Sequence, residues 1–442
     1  MAGIDRPAVT TAAPQNPPFA TAELGLHLLA TFLLTARIVY LHTQAPVAYM
    51  RLISEDDFGE YATTVSYLVM AGFFALLIVQ AGGKMRRLLW LLVALCAFFV
   101  GMEEISWGQR LFHLPTPEVL QEHNVQGELS LHNLIETDPL HMVAAWLIIA
   151  GIVASTALLL ARQGPLVRFR QVLEHVGFPL IPIPLAPWFA LTAYFFLTGS
   201  FVKGDEVGEF VLGLGVALFG LYTWLAWGAL GNRSRLAIRV TSAVILLLLI
   251  ALVTEALMRY GYEGGIGHRL RMSATRDYPA LGMYQQADMI FAYLEANPRY
   301  LRDDTLVLQA HQLLARGKAA DARPVLQRAL ARLEAENKPG DVTQLQLRGE
   351  ILALMGRPSE AQQSLAEAEA LDRARLEGAR MAERPELLWS LGRTRALLGD
   401  LSGARRLGMQ ALEAHPTEKK AKKIRVWMES LANSESVAPP ES

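Results

Sequence analysis

The chain has 442 residues, of which 52% are apolar and 19% charged, and its formal net charge is −1. Soluble domains carry about 25% charge, whereas here residues 1–260 hold 33 of the 83 Asp, Glu, Lys and Arg and residues 261–442 hold the other 50. A single soluble globule is excluded, the charge balance gives no footing for nucleic acid, and one cysteine, Cys96, excludes an intrachain disulfide and a cysteine-based zinc site.

In chain order, residues 1–22 are rich in Pro, Ala and Thr and read as a disordered cytoplasmic tail. Residues 23–260 read as a transmembrane helix bundle. A spanning helix needs about 20 apolar residues, and seven segments qualify: Leu24–Leu41, Tyr61–Gln80, Leu88–Met102, Pro139–Leu160, Phe178–Phe201, Phe210–Leu230 and Leu236–Met258. The third is short unless Glu103 to Trp107 continue it. The fifth carries Pro179, Pro182, Pro184 and Pro187, which predicts a break in its first half.

Loop charges set the orientation. Loops 81–87, 161–175 and 231–239 hold nine basic residues and one acid, Glu174. Loops 42–60, 103–138 and 202–209 hold Arg51, Arg110 and Lys203 against fourteen acids. Basic loops face the cytoplasm. The expectation is an inner-membrane protein with a cytoplasmic N-terminus and everything after Met258 outside the cytoplasm.

Three polar clusters fall on that outer side. The first is Glu55, Asp56, Asp57 and Glu60. The second is Glu103, Glu104, Gln109 and Arg110 within GMEEISWGQRLFHLP, residues 101–115. The third is Asn124, Gln126, Glu128, His132 and Asn133 within EHNVQGELSLHNLIE, residues 122–136, with His141 just beyond. On a helix over 100–112, Glu103, Trp107 and Arg110 share one face, so Glu103 and Arg110 pair and Glu104 is left for a proton, a metal or a substrate. Carboxylates at a hydrocarbon boundary are costly unless satisfied, which makes them site candidates. Carboxylate with imidazole suits zinc or iron, with Glu104, His132 and His141 as the candidate ligands. It equally suits acid–base catalysis by Glu104 and His132, and the use of a divalent metal is left open. The same residues also suit a structural role, with Trp107 as an interfacial anchor and the amides satisfying loop backbone.

An acidic pair before a span, then EEISWGQR, then N-x-Q-x-E-x-x-L-H-N resembles a motif set of uncharacterised multi-pass bacterial membrane proteins, over roughly residues 55–134. The resemblance implies one shared site and no particular activity. Seven-span hydrolases of the alkaline ceramidase type also place Glu, Ser and His at span ends. They carry two histidines four apart in a late span, and the ten histidines here contain no such pair.

Residues 261–281 read as a linker, 282–432 as a soluble helical domain and 433–442 as a disordered tail. Gly317, Ala322 and Ala329 recur in spacing as Gly356, Ala361 and Ala368, and as Gly399, Ala404 and Ala411. Gly282, Ala287 and Phe291 form a partial first copy. Glycine permits the turn between two helices and small alanines let the helices approach. Residues 282–417 resemble tetratricopeptide repeats, although the inter-glycine spacings of 35, 39 and 43 exceed the family's 34. The resemblance implies an α-solenoid that binds a protein partner. The fold class expected is all-α: a bundle of about seven spans followed by this solenoid. The function expected is a membrane-anchored scaffold of the envelope. The alternative is a membrane-embedded enzyme acting on a lipid-linked or envelope substrate.

Overall fold

A computed structural model describes residues 19–54, 58–109, 112, 114–117, 129–130, 137–227, 237–239, 241, 242, 245, 252, 266–336, 338, 340–414 and 416–436. Among these the chain is helical with no strand. It divides into two compact units, one of residues 1–114 and 130–266, the other of 115–129 and 267–442.

In the first unit the helices are α1 (Phe19–Gln44), α2 (Pro46–Leu52), α3 (Phe58–Gln80), α4 (Lys84–Glu104), α5 (Thr137–Leu160), α6 (Pro165–Val176), α7 (Ala186–Leu197) and α8 (Gly204–Trp227). Five of them, α1, α3, α4, α5 and α8, are long and apolar enough to cross a membrane. Their outer faces are apolar: Phe32, Val79, Leu147 and Val153 are all exposed. Water opposes such an exterior, and hydrocarbon accepts it. Inside, α3 packs on both α4 and α8. Gly213 and Gly220 share one face of α8, where a Cβ would stand 3.1 Å from Thr63 Cα and 3.0 Å from Met70 Cα. Small residues of this kind let two spanning backbones touch.

The boundaries differ from expectation in instructive ways. The third segment runs over Lys84–Glu104, longer at both ends than the apolar run. The sixth begins at Gly204 instead of Phe210, so Asp205, Glu206 and Glu209 lie in its first turns, where the helix dipole favours negative charge. The proline-rich fifth segment is broken as expected. Residues 178–182 are not helical, a 3-10 turn covers Ile183–Leu185, and α7 follows. The Ile181 amide, left without a helical partner, donates to Ser155 Oγ at 3.1 Å. Residues 161–175, expected as a basic loop, contain α6. The expected seventh span lies largely outside the described residues.

The second unit holds α9 (Ile266–Met272), continued by a π turn at Ser273–Asp277, then α10 (Tyr284–Ala296), α11 (Asp303–Ala315), α12 (Ala319–Glu336), α13 (Val342–Leu354), α14 (Pro358–Glu377), α15 (Arg384–Leu397), α16 (Leu401–Glu413) and α17 (Glu418–Ser436). Residues 261–281, expected as a linker, are thus helical from Ile266. Consecutive helices pack as pairs, α11 on α12, α13 on α14 and α15 on α16. Each pair is joined by the same turn. Gly317, Gly356 and Gly399 have φ of 70°, 75° and 85°. The next amide reaches back to the helix carbonyl five residues earlier at 2.9 Å each time: Lys318 to Leu313, Arg357 to Leu352 and Asp400 to Arg395. This is the left-handed C-terminal cap that glycine allows. Ala322, Ala329, Ala361, Ala368, Ala404 and Ala411 are all buried. Between α13 and α15, Gln346 Nε2 donates to the Ser390 carbonyl at 3.0 Å and to Thr394 Oγ1 at 2.8 Å.

Candidate functional site

The polar residues of the first unit gather where α3, α5 and α8 begin and α4 ends. Helix α4 stops at Glu104 because the chain turns left-handed: Ser106, Trp107 and Gly108 have φ of 46°, 56° and 71°. For non-glycine residues that conformation costs about 1–3 kcal/mol each. The turn folds the indole back, so Trp107 Nε1 donates to Glu103 Oε1 at 2.5 Å and its ring meets Phe99 edge-on at 5.5 Å. Glu103 is thereby satisfied and buried. The expected helix over 100–112 does not form, and Glu103 meets Trp107 through this reversal, not along a helical face. Gln109 is buried beside the turn, its amide donating to the Ser106 carbonyl at 3.0 Å.

Glu104 lies within range of the charges of Glu60, Glu103, Glu206 and Glu209. Its side chain makes no hydrogen bond to another described residue. Tyr67, two helical turns along α3 from Glu60, is within range of both Glu104 and Glu209. Opposite, His141 Nε2 meets Glu209 Oε1 at 2.9 Å, and its ring stacks on Phe196 with centroids 4.8 Å apart. Lys203 Nζ donates to Glu206 Oε1 at 3.0 Å. The segment leading into α8 is clamped from α1 and α2. The Val202 amide donates to His42 Nε2 at 3.2 Å, and Tyr49 OH donates to the Val202 carbonyl at 2.7 Å. Among the described residues the carboxylates of this cluster outnumber His141 and Lys203, an arrangement that can attract a cation or hold a proton.

Of the residues singled out from sequence, Glu60, Glu103, Glu104, Gln109 and His141 are described. Glu104 is brought near Glu60, while His141 is paired with Glu209 and not with Glu104. Glu55, Asp56, Arg110, Asn124, Gln126, Glu128, His132 and Asn133 lie outside the described residues, and so does the expected Glu104–His132 meeting. Among the described residues no group of three His, Cys, Asp or Glu is placed to hold a metal ion.

Glu206 and Glu209, expected on the outer polar surface with Lys203 and Asp205, join the cluster from the first turns of α8. One feature went unread in the sequence, a buried hub on α1. Trp188 Nε1 donates to His27 Nδ1 at 3.0 Å, which leaves the neutral ring's proton on Nε2 to donate to Tyr222 OH at 2.7 Å. Arg239 lies over the Tyr222 ring at 4.6 Å and pairs with Glu23 at 3.5 Å. A histidine inside an apolar run was the available signal. Between α5 and α7 there is an apolar groove of about 400 Å³ lined by Ile149, Ile152, Val153, Ala193, Tyr194 and Leu197.

In the second unit, His311 Nε2 bridges α11 to Glu350 Oε1 of α13 at 2.7 Å. That hydrogen bond holds the imidazole above its ordinary range. No protein-family model matches the chain, and neither does any curated protein or solved structure.

Proposed function

We propose that the chain is a multi-pass inner-membrane protein of the bacterial envelope that acts as a scaffold. About seven crossings anchor it, its N-terminus is cytoplasmic, and its C-terminal repeats bind a protein partner outside the cytoplasm. The observation that carries this reading is the thrice-repeated glycine turn over buried alanines in the helix pairs α11–α12, α13–α14 and α15–α16. Such pairs bury their seam against neighbours and leave a continuous outer surface, which is how tetratricopeptide-like solenoids take partners. Cross-linking and capture with the full chain, beside a variant lacking residues 282–432, tests it. The same partner recovered from both would remove the repeats from the function.

A second reading is a membrane-embedded enzyme with acid–base or metal chemistry on a lipid-linked substrate. It draws on Glu104 in the carboxylate cluster and on the apolar groove between α5 and α7. Glu104→Gln and His132→Asn should each abolish turnover while leaving membrane insertion intact. Metal analysis of the purified chain separates the metal-dependent form from the acid–base form.

A further inference from the structure

Helix α6 is built from local signals. Gly164 precedes it, Pro165 opens it, and Gly177 at φ 82° closes it. The Gly177 amide donates to the Glu174 carbonyl at 3.1 Å and the Phe178 amide to Leu173 at 2.8 Å. None of its residues is buried. Leu166, Phe169, Val172, Leu173 and Val176 recur at i, i+3, i+6, i+7 and i+10, one continuous apolar face. Leu166, Phe169 and Val172 are 47%, 54% and 59% exposed. Arg168, Gln171, Glu174 and His175 occupy the other side and are exposed.

The C-terminal end and the middle of α6 are tied to long apolar helices. Arg86 Nη2, in the first turn of α4, donates to the carbonyls of Glu174 and His175 at 3.2 and 3.0 Å. Trp90 Nε1 donates to the Gly177 carbonyl at 2.8 Å. Arg170 Nη1 donates to the carbonyls of Leu158 and Leu159, at the end of α5, both at 3.3 Å. The helix is therefore held across the level at which α4 begins and α5 ends. If those two cross a bilayer, that level is its boundary.

On the reading of the first unit as membrane-spanning, we propose that α6 lies flat in the headgroup–acyl boundary of a leaflet rich in acidic phospholipid. Its apolar face enters the acyl side, and the exposed Lys84, Arg162 and Arg168 meet lipid phosphates. Charge complementarity selects this occupant. The one acid on the helix, Glu174, is already paired with Arg170 at 3.6 Å, so the exposed charge is basic. Amphipathic helices with an apolar face and a basic border bind such interfaces through buried area plus attraction to anionic lipid.

The test uses the full chain with Cys96→Ala and one cysteine at a time at Val172, His175 or Val153. Each variant is spin-labelled and reconstituted in phosphatidylcholine vesicles containing phosphatidylglycerol. Collision with oxygen and with a water-soluble nickel chelate is then compared. The label at 172 should meet nickel several-fold less often than the label at 175, and should lie shallower than the label at 153, which sits about two turns inside the end of α5. Leu166→Ser with Phe169→Ser should raise nickel access at 172 several-fold and leave 153 unchanged. Equal nickel access at 172 and 175, with 153 deep in the bilayer, would overturn the proposal. So would a label at 172 shielded from both reagents, because protein and not lipid would then cover the face. Nickel access at 153 would instead bring down the membrane-spanning reading itself.

Discussion

Replacing Ala404 by leucine is the sharpest probe of the hairpin packing. Ala404 is fully buried at the seam of α15 and α16. The two helices are already in contact there: a Cβ on Gly392 would stand 3.3 Å from the Ala404 carbonyl oxygen, 3.4 Å from Leu407 Cβ and 3.0 Å from Trp427 Cη2. In open space each added methylene would stabilise by about 0.8 kcal/mol on burial. In a filled seam the sign reverses, and overpacking costs about 1–3 kcal/mol. For a unit of this size about 1 kcal/mol moves Tm by roughly 2–4 °C. Residues 266–436 should fold as a soluble helical fragment, and its circular-dichroism melt should fall by about 4–8 °C at a cost near 2 kcal/mol. Ala319→Leu, at the exposed start of α12, should stay within about 0.5 kcal/mol of the parent. A fragment with Ala404→Leu that melts with the parent, or above it, would refute the assigned packing register.

Burial holds the Asp372 carboxyl above its ordinary range, and its Oδ2 has no partner among the described residues. With the folded pKa above the unfolded one, stability is greatest below the unfolded value and falls as pH rises through the folded value. Asp372→Asn should flatten that slope in urea titrations and stabilise the fragment at neutral pH by roughly 1–3 kcal/mol; an unchanged slope would place the carboxylate in water. His27→Leu leaves Trp188 Nε1 and Tyr222 OH without their shared partner. At about 0.6–1.7 kcal/mol per hydrogen bond within a bundle, the thermal midpoint in detergent should fall clearly; no change would dissolve the hub. Gly220→Val must push α8 off the backbone of α3 and should cost about 1–3 kcal/mol, while Gly72→Ala, with open space around its Cβ, should be harmless by the same assay. Export-dependent reporters should be active when fused after Met258 and silent at Arg86, and the reverse pattern would invert the proposed topology.

The parts of the fold that were legible in the sequence are those with local causes. Runs of apolar residues marked α1, α3, α4, α5 and α8. Gly317, Gly356 and Gly399 marked turns because only glycine takes their φ without strain. The prolines of the fifth segment announced its break. Helix α6 was hidden because Arg162, Arg168 and Arg170 dominate a short stretch, and a twelve-residue periodicity competes poorly with a charge count. The candidate site was legible only as three clusters and the acidic 202–209 stretch on one side of the chain. Its pairings join residues far apart in sequence: His141 finds Glu209 across 68 positions, through the packing of α5 and α8 against α7. The reversal at Ser106–Gly108 was not legible either. Nothing in the order Ile-Ser-Trp-Gly forbids another helical turn, and the Glu103–Trp107 bond that accompanies the left-handed backbone exists only after folding.

The interrupted fifth segment has a consequence for how far a short piece of chain can reach. Twelve helical residues advance about 18 Å and a three-residue 3-10 turn about 6 Å. Five residues in polyproline geometry add at most about 15 Å. In the seven-span reading, that ladder of unequal rungs overreaches a hydrocarbon layer of about 30 Å, which the same stretch as one continuous helix would only just cross. The extended rungs expose amides that a helix would have used internally. The Ser155 hydroxyl takes the one at Ile181, so in that reading an oxygen on the neighbouring helix satisfies a backbone amide that has left the helical ladder. Serine to alanine at 155 would leave that amide searching for water, and the segment would be expected to exchange its hydrogen with deuterium far faster.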